Sequence, residues 1–212
     1  PEAIVTGWAE NVTGEQEADI TAAIHKAAAV VIGPGLGQEA GAERLLDLVL
    51  QEAEKLPELP VVIDADGLNL LAKKRLYSTL GRQYVLTPHL REMSRLSGKS
   101  VQEIADDMTS AVMGQQAGAT IVLKDARTLV SDGDWLYINL SGNSALSTGG
   151  SGDVLSGMIG GLLAQGCTQR TAATLAVYMH GLTAEQYCES APPHCMLARD
   201  ILEMIPKIGG NS

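Results

Sequence analysis

The chain contains no phenylalanine, and aromatic residues make up only 3% of its 212 residues. A core with so little aromatic volume must be filled by aliphatic and small side chains, which suits helices packed closely on a sheet. Hydrophobic residues account for 45% of the chain and charged residues for 19%, as in an ordinary globular protein. This length and composition predict a single domain over residues 1–212.

Cysteine and long apolar runs are also scarce. Cys167, Cys188 and Cys195 are odd in number and form no C-x-x-C pair, so the sequence indicates neither a disulfide framework nor a zinc site. No apolar run is long enough to span a membrane, and the first residues lack the pattern of a signal peptide. We therefore expect a reduced, cytoplasmic setting and no membrane partner.

Positive charge is in deficit, because 15 lysines and arginines face 25 acidic residues, for a net charge of −10. No basic stripe is available for nucleic acid or for an anionic membrane, which excludes broad binding to either. Any anionic ligand must be held by local groups.

Short apolar runs alternate with longer amphipathic stretches, which is typical of βαβ units around a parallel sheet. The sequence predicts strands at residues 29–32, 61–64, 84–87 and 120–124, and an antiparallel edge hairpin at 127–131 and 135–139. Helices are predicted at 39–55, 68–80, 101–116, 152–165, 169–189 and 196–205. The fold class is therefore α/β, with a central, mostly parallel sheet flanked by helices.

Polar residues collect where the predicted parallel strands end. The four segments are Gly33-Pro34-Gly35-Leu36-Gly37, Asp64-Ala65-Asp66-Gly67-Leu68-Asn69, Thr87-Pro88-His89 and Lys124-Asp125-Ala126-Arg127-Thr128. In open α/β sheets, ligands bind beyond the carboxyl ends of the strands. We expect the four segments to converge on one crevice.

A small-residue loop, Ser147-Thr148-Gly149-Gly150-Ser151-Gly152-Asp153, opens directly into an apolar helix. Glycines let the backbone approach an anion, and the free N–H groups and dipole of the first helical turn favour a phosphate there. A carboxylate beside such a site repels the ligand unless it takes a proton or holds a metal. Alternatively, Asp153 only complements the helix dipole.

Each candidate also has a structural interpretation. The first glycine segment alone would be a tight turn. Asp64 and Asp66 could orient a metal or cap a helix, and capping is favoured for Asp66. His89 could contact a ligand or lie on the surface. Glu92 could face the cleft or lie in the first turn of a helix. Lys124 could bind a phosphate or be solvated. The remaining histidines, His25, His180 and His194, show no ligand spacing and are interpreted as structural.

Taken in order, these segments resemble the NAD(P)H-hydrate dehydratase family of the ribokinase-like superfamily. The similarity combines Gly-Pro-Gly-Leu-Gly, Val-Ile-Asp-Ala-Asp-Gly-Leu-Asn, Leu-Thr-Pro-His, Leu-Lys-x-Ala-x-Thr and Gly-Asn-x-x-x-x-Thr-Gly-Gly-Ser-Gly-Asp, from residue 1 to about residue 207. The Gly-Ser-Gly-Asp element alone would indicate only a ribokinase-like phosphotransfer site.

The resemblance implies a repair enzyme that removes water from the S-form of hydrated NADH or NADPH, using ADP or ATP and Mg²⁺. The ring hydroxyl would be phosphorylated and phosphate would then leave, which suits the chemistry because phosphate is a better leaving group than hydroxide. Two alternatives are a kinase of a small hydroxymethyl or vitamin-precursor alcohol, and a nucleotide-binding fragment without turnover.

The resemblance also implies roles for residues of this chain. Asp153 would be the general base, and Gly150, Ser151 and Gly152 would form the anion hole. The adenine nucleotide would bind at Lys124, Asp125, Ala126, Arg127 and Thr128 together with Gly152. The hydrated nicotinamide nucleotide would contact Gly35, His89 and Asp153, with Asn69 and Glu92 near the phosphate and metal region. No metal ligands can be named from the sequence.

The chain departs from the family pattern in three places. Leu90-Arg91 replaces the usual Pro-Gly after the histidine, and Asp125 replaces a glycine beside the expected nucleotide phosphates. Family members also have βα units before the point that corresponds to Pro1, so we expect a domain that is N-terminally incomplete relative to the family. An exposed sheet edge and the resemblance together predict a homo-oligomer.

Overall fold

A six-stranded sheet organises the computed structural model, which describes residues 13–113 and 118–208. The strands are β1 (Val30–Ile32), β2 (Val61–Ile63), β3 (Tyr84–Leu86), β4 (Thr120–Leu123), β5 (Leu129–Ser131) and β6 (Leu136–Ile138), and their order in the sheet is their order in the chain. Strands β1 to β4 are parallel, whereas β4, β5 and β6 pair antiparallel. The predicted fold class is confirmed, including the antiparallel edge hairpin.

Helices cover both faces of the sheet. They are α1 (Gly14–Lys26), α2 (Ala40–Lys55), α3 (Ala65–Lys74), α4 (Leu90–Ser97), α5 (Val101–Asp106), α6 (Met108–Met113), α7 (Ser151–Ala164), α8 (Gln169–Cys188) and α9 (Ala198–Met204). Single 3₁₀ turns occur at Tyr77–Thr79, Ser144–Ser147, Pro193–Cys195 and Ile205–Lys207. Within the described residues, no helix is both long and apolar enough to cross a membrane.

Alternate residues of each central strand face different helical layers. Val61, Ile63 and Leu86 point to the layer built by α1 to α6, whereas Val62 and Val85 point to α7 and α8. Both faces of these strands are buried, which explains why the strands are uninterrupted apolar runs rather than alternating ones. The second layer is rich in alanine and valine, as the lack of aromatic residues predicts.

Local capping shifts several helices from their predicted bounds. The helix predicted at 68–80 begins at Ala65, because Asp64 caps it, and ends before Arg75, which adopts a left-handed conformation with φ of 56°. The single helix predicted at 101–116 is wrong: α5 ends at Asp106 and α6 begins at Met108, while residues 114–116 lie outside the described residues.

Two helices were not predicted, and both are fixed by capping boxes. Thr13 and Gln16 form the capping box of α1, and His89 and Glu92 form that of α4. The last predicted helix, 196–205, is shorter than expected and covers Ala198–Met204. The predicted helices at 152–165 and 169–189 agree with α7 and α8 to within one residue.

Candidate active site

The structure brings the four polar segments at the carboxyl ends of the strands together. The Asp64 N–H donates to the Ile32 carbonyl, and the Lys124 N–H donates to the Pro88 carbonyl at 2.8 Å. His89 and Lys124 also form a parallel β-bridge beyond the ends of β3 and β4. The parallel sheet therefore ends in a continuous polar edge. Only the third and fourth segments contribute residues to the cavity at this edge, so the expectation that all four converge on one crevice is only partly met.

A cavity of about 800 Å³ opens between this edge and the N-terminus of α7. Of the predicted site residues, the cavity is lined by His89, Lys124, Asp125, Ala126, Thr128, Ser151 and Gly152. The other four, Gly35, Arg127, Gly150 and Asp153, are exposed and lie outside this lining. The volume is sufficient for a small-molecule ligand.

The N-terminus of α7 has the features of an anion site. Gly150 precedes the helix with φ of 86°, a left-handed conformation that glycine adopts without strain, and it provides no side chain to cap the helix. The Ser151 N–H donates to the Thr148 carbonyl at 3.3 Å, whereas no side chain caps the N–H groups of Gly152 and Asp153, and the helix dipole adds positive potential there. Asp153 is exposed in this first turn.

Lys124 is held at this site by a buried carboxylate rather than by solvent. Its ammonium nitrogen lies 2.8 Å from Oδ1 of Asp64, whose side chain is 1% exposed. The same carboxylate accepts hydrogen bonds from the Ala65 N–H at 2.8 Å and from the Ser156 hydroxyl in α7. Of the two alternatives for Lys124, the solvated lysine does not hold, because Lys124 links β4 to β2 and, through Asp64, to α7.

Gly152 lies so close to this ion pair that a side chain there would crowd it. A Cβ atom at this position would lie 3.3 Å from Nζ of Lys124 and 3.9 Å from Oδ2 of Asp64. The helix N-terminus and the ammonium therefore meet without an intervening side chain. The two lie together at the cavity wall, where they offer local donors to an anion in a protein of net charge −10.

The preference for Asp66 as a helix cap is wrong, because Asp64 occupies that position. The Asp66 carboxylate instead accepts hydrogen bonds from the Gly37 N–H and the Gln38 side chain, each at 3.0 Å. It ties the first glycine loop to the start of α3. Gly35 lies at the exposed turn of this loop, with φ of 65°.

His89 caps α4 and lines the cavity with the rest of its ring. Its Nδ1 accepts from the N–H groups of Arg91 and Glu92, each at 3.1 Å, so the neutral ring carries its proton on Nε2. Glu92 is buried and accepts from the His89 N–H at 2.8 Å. The structure thus favours the helix-turn interpretation of Glu92 over a side chain facing the cleft.

His180 is a site residue that the sequence interpretation assigned only to the structure. It lies buried in α8, lines the cavity, and places Nε2 3.0 Å from the Ser151 carbonyl oxygen. The pKa of His180 is lowered to about 4, chiefly by burial; the bond to the Ser151 carbonyl opposes this shift, and the positive charge of Lys124 adds to it. No spacing pattern in the sequence could have identified it, because only the packing of α8 on α7 brings it here.

Another wall of the cavity received no predicted ligand role, although its Gly142-Asn143 belongs to a motif that carries the family resemblance. It consists of the chain from the end of β6 to the 3₁₀ turn before the glycine loop and includes Asn139, Ser141, Gly142, Asn143 and Ser144. Asn139 is buried and donates to the Ser141 carbonyl, which fixes the path of this wall. The signal in the sequence was the run of polar residues that follows Leu140.

The described residues contain no group of three histidine, cysteine or acidic side chains that could hold a metal on its own. Asp64 is occupied by Lys124, Ala65 and Ser156. Asp125 and Asp153 are exposed carboxylates next to the cavity. This donor set fits Mg²⁺ that arrives with a nucleotide, because Mg²⁺ takes one or two carboxylates together with phosphate oxygens and water.

Comparison with known proteins assigns the family. The sequence model of the NAD(P)H-hydrate dehydratase family matches residues 1–207. The chain belongs to this family. An ADP-dependent (S)-NAD(P)H-hydrate dehydratase from Neisseria meningitidis is 41% identical over 197 residues, which are 90% of this chain and 65% of the relative. The chain thus spans about two thirds of the length of that NAD(P)H-hydrate dehydratase.

Solved structures of the family share the fold. A ribokinase-like superfamily protein from Enterococcus faecalis has a TM-score of 0.80 at 30% identity, over 92% of this chain and 66% of its own. An ADP/ATP-dependent NAD(P)H-hydrate dehydratase from Bacillus subtilis, co-crystallised with ATP and Mg²⁺, has a TM-score of 0.73 at 32% identity, over 85% of this chain and 65% of its own. The resemblance stated from the motifs is confirmed.

Proposed function

We propose that this protein dehydrates the S-form of hydrated NADH or NADPH in a reaction that consumes ADP or ATP. The proposal rests on one observation in this member of the family: the N-terminus of α7 and the Lys124 side chain lie side by side in the wall of the cavity. A helix N-terminus and a lysine suit a phosphoryl group, and phosphorylation converts a poor hydroxide leaving group into phosphate. The Neisseria relative is named for dependence on ADP, and the Bacillus relative for dependence on ADP or ATP.

In this proposal Asp153 accepts the proton of the ring hydroxyl as the oxygen attacks the terminal phosphorus of the nucleotide. The bond from that phosphorus to the bridging oxygen breaks, and the shortened nucleotide departs. The C–O bond to the new phosphate then breaks, a neighbouring ring carbon loses a proton, and the nicotinamide double bond is restored. Asp153 suits the first step because it is exposed and lies in the first turn of α7, directly after Ser151 and Gly152.

The backbone N–H groups of Gly150, Ser151 and Gly152 would stabilise the charge on the transferring phosphoryl group. Each hydrogen bond to a charged oxygen contributes about 1.5 to 3 kcal/mol, so two or three offset the overall negative charge of the protein. Lys124, Asp125, Ala126, Arg127 and Thr128 would hold the nucleotide, since most of this segment lines the cavity. Gly35 and His89 would contact the hydrated nicotinamide nucleotide.

Mg²⁺ bound with the nucleotide would neutralise phosphate oxygens. Asp125 is the carboxylate in the cavity wall nearest in sequence to Lys124, and it would contribute a ligand. This role would give a purpose to a negative charge where the family pattern has glycine.

The test is incubation of the protein with hydrated NADH, Mg²⁺ and either ADP or ATP, followed at the absorbance band of reduced nicotinamide. Recovery of absorbance that requires nucleotide is expected. Asp153→Asn should reduce turnover by about 10² to 10⁴-fold while ADP binding persists, because general base catalysis has that magnitude. Asp19→Asn is the matched control, with turnover retained, because Asp19 is an exposed carboxylate of α1 outside the cavity lining.

Two results would contradict the proposal. Nucleotide binding without recovery would favour a fragment without turnover, and phosphate transfer to a small hydroxymethyl alcohol without recovery would favour a kinase. Unchanged turnover in Asp153→Asn would remove Asp153 from the mechanism.

A further inference from the structure

The ion pair between Asp64 and Lys124 carries an inference about how the nucleotide phosphates are recognised. We propose that Asp64 is a positioning residue that holds the Lys124 ammonium at the N-terminus of α7, and that discrimination between phosphorylated and unphosphorylated nucleosides depends on this contact. The inference deepens the proposed function, because it rests on a nucleotide occupying the cavity.

The geometry supports a positioning role rather than a direct one. Asp64 is 1% exposed and does not line the cavity, whereas Lys124 is 21% exposed and does. The carboxylate is fixed on three sides by the Ala65 N–H, the Ser156 hydroxyl and the ammonium itself. Because these three partners all belong to the protein and Asp64 does not line the cavity, Asp64 can act on a ligand only through Lys124.

A lysine benefits from a fixed carboxylate partner because its own side chain is flexible. An ammonium on a four-carbon stem loses rotamer freedom when it binds a phosphate, and a partner that fixes it beforehand removes that cost from the binding step. The bond of 2.8 Å to Asp64 sets Nζ where a Cβ on Gly152 would lie only 3.3 Å away. The ammonium is therefore aligned with the open N–H groups of α7 before a ligand arrives.

A second connection links this pair to the helix itself. The Ser156 hydroxyl donates to Asp64 and also lies 3.1 Å from the Gly152 carbonyl, one turn back in α7. β2, β4 and α7 thus meet at one carboxylate. Ser156 bonds the same carboxylate without contacting Lys124 in any interaction of the described residues, which makes it a matched control.

The experiment measures ADP and adenosine affinity by calorimetry for the wild-type chain and for Asp64→Asn, Lys124→Met, their double variant and Ser156→Ala. Asp64→Asn and Lys124→Met should each weaken ADP binding by about 10 to 100-fold, because the loss of one charge-assisted hydrogen bond lowers affinity by about that factor. Adenosine affinity should change by less than about threefold, because adenosine offers no phosphate. The double variant should bind ADP no more weakly than Lys124→Met alone.

Ser156→Ala removes one hydrogen bond to the carboxylate but leaves the pair with Lys124, so it should weaken ADP binding less than Asp64→Asn does; an equal or larger loss would contradict the inference. Thermal unfolding of every variant identifies any that fails to fold. If Lys124→Met fails, the double variant, which removes both charges together, is compared with Asp64→Asn, and equal ADP affinities of these two support the coupling. Equal losses for ADP and adenosine, additive losses in the double variant, or no ADP binding by the wild-type chain would each overturn the inference. ADP binding without NADH recovery would contradict the proposed function and leave this inference standing.

Discussion

His180 shows how much the environment of one residue changes its chemistry. An isolated histidine in a helix carries no signal in the sequence, yet burial against α7 lowers its pKa to about 4. The neutral imidazole then donates from Nε2 to the carbonyl of Ser151, 3.0 Å away, which is the first residue of α7. Its protonation would place a second positive charge beside Lys124, at a cost in stability.

This depression of the pKa makes folding stability depend on pH. Between the unfolded pKa of about 6.5 and the folded pKa of about 4, the unfolded chain binds a proton at His180 and the folded chain does not. Stability should therefore fall as the pH falls, by about 3 kcal/mol over this interval for this one group. Urea unfolding of the wild type and of His180→Gln at pH 7 and pH 4.5 measures it.

His180→Gln removes the titrating group and retains a neutral side-chain donor. The loss of stability on acidification should be smaller in this variant than in the wild type. Equal losses in the two proteins would contradict the assignment of the effect to His180.

At the scale of elements, α7 combines an anion site with close packing on the sheet. Gly160 is buried, and a Cβ at this position would lie 2.4 Å from a methyl group of Val31 in β1. Gly157 and Gly161 in the same helix are exposed, and a Cβ added at either position would have open space within 4 Å. The three glycines look alike in the sequence, but only Gly160 is required by the contact of α7 with β1.

Alanine substitution should separate these glycines. Gly160→Ala is expected to lower the free energy of unfolding by about 1 to 3 kcal/mol, because the added methyl group overpacks the contact with Val31. Gly157→Ala and Gly161→Ala are expected to raise it by up to about 1 kcal/mol, the difference in helix propensity. Chemical denaturation measures all three, and a stabilising Gly160→Ala would contradict the packing described.

At the scale of the molecule, the sheet gathers its ligand-binding groups at one end. The cavity walls come from the loops after β3, β4 and β6 and from α7 and α8, which are far apart in the chain. A ligand can therefore contact these groups together only when the protein is folded. Nucleotide binding should consequently stabilise the whole fold by mass action.

ADP at a concentration 100 times its dissociation constant should raise the free energy of unfolding by about 2.7 kcal/mol. Thermal unfolding with increasing ADP and Mg²⁺ measures this shift. Lys124→Met should require more ADP for the same increase in melting temperature. A melting temperature that does not respond to ADP would contradict nucleotide binding in this cavity.

Much of the fold was predictable from local sequence. Apolar runs bounded by glycine, proline or aspartate identified the four parallel strands, and the turn residues Asp132-Gly133-Asp134 identified the hairpin, because strand and turn preferences act over a few residues. The break between α5 and α6 was not predictable from periodicity. There, the backbone of Asp107 leaves the helical conformation while its carboxylate accepts from the Ser110 N–H at 2.9 Å.

The sequence by itself determined the family, because the types and order of residues in the glycine loop and at the strand ends are those of the NAD(P)H-hydrate dehydratases, and it predicts phosphate binding at the candidate site. Only the tertiary structure decided which groups act on one another. Asp64 and Lys124 are 60 residues apart, and His180 is 29 residues from Ser151. Such pairs form because β2 and β4 flank β3 in one sheet and α8 packs on α7, and no local pattern encodes contacts over that separation.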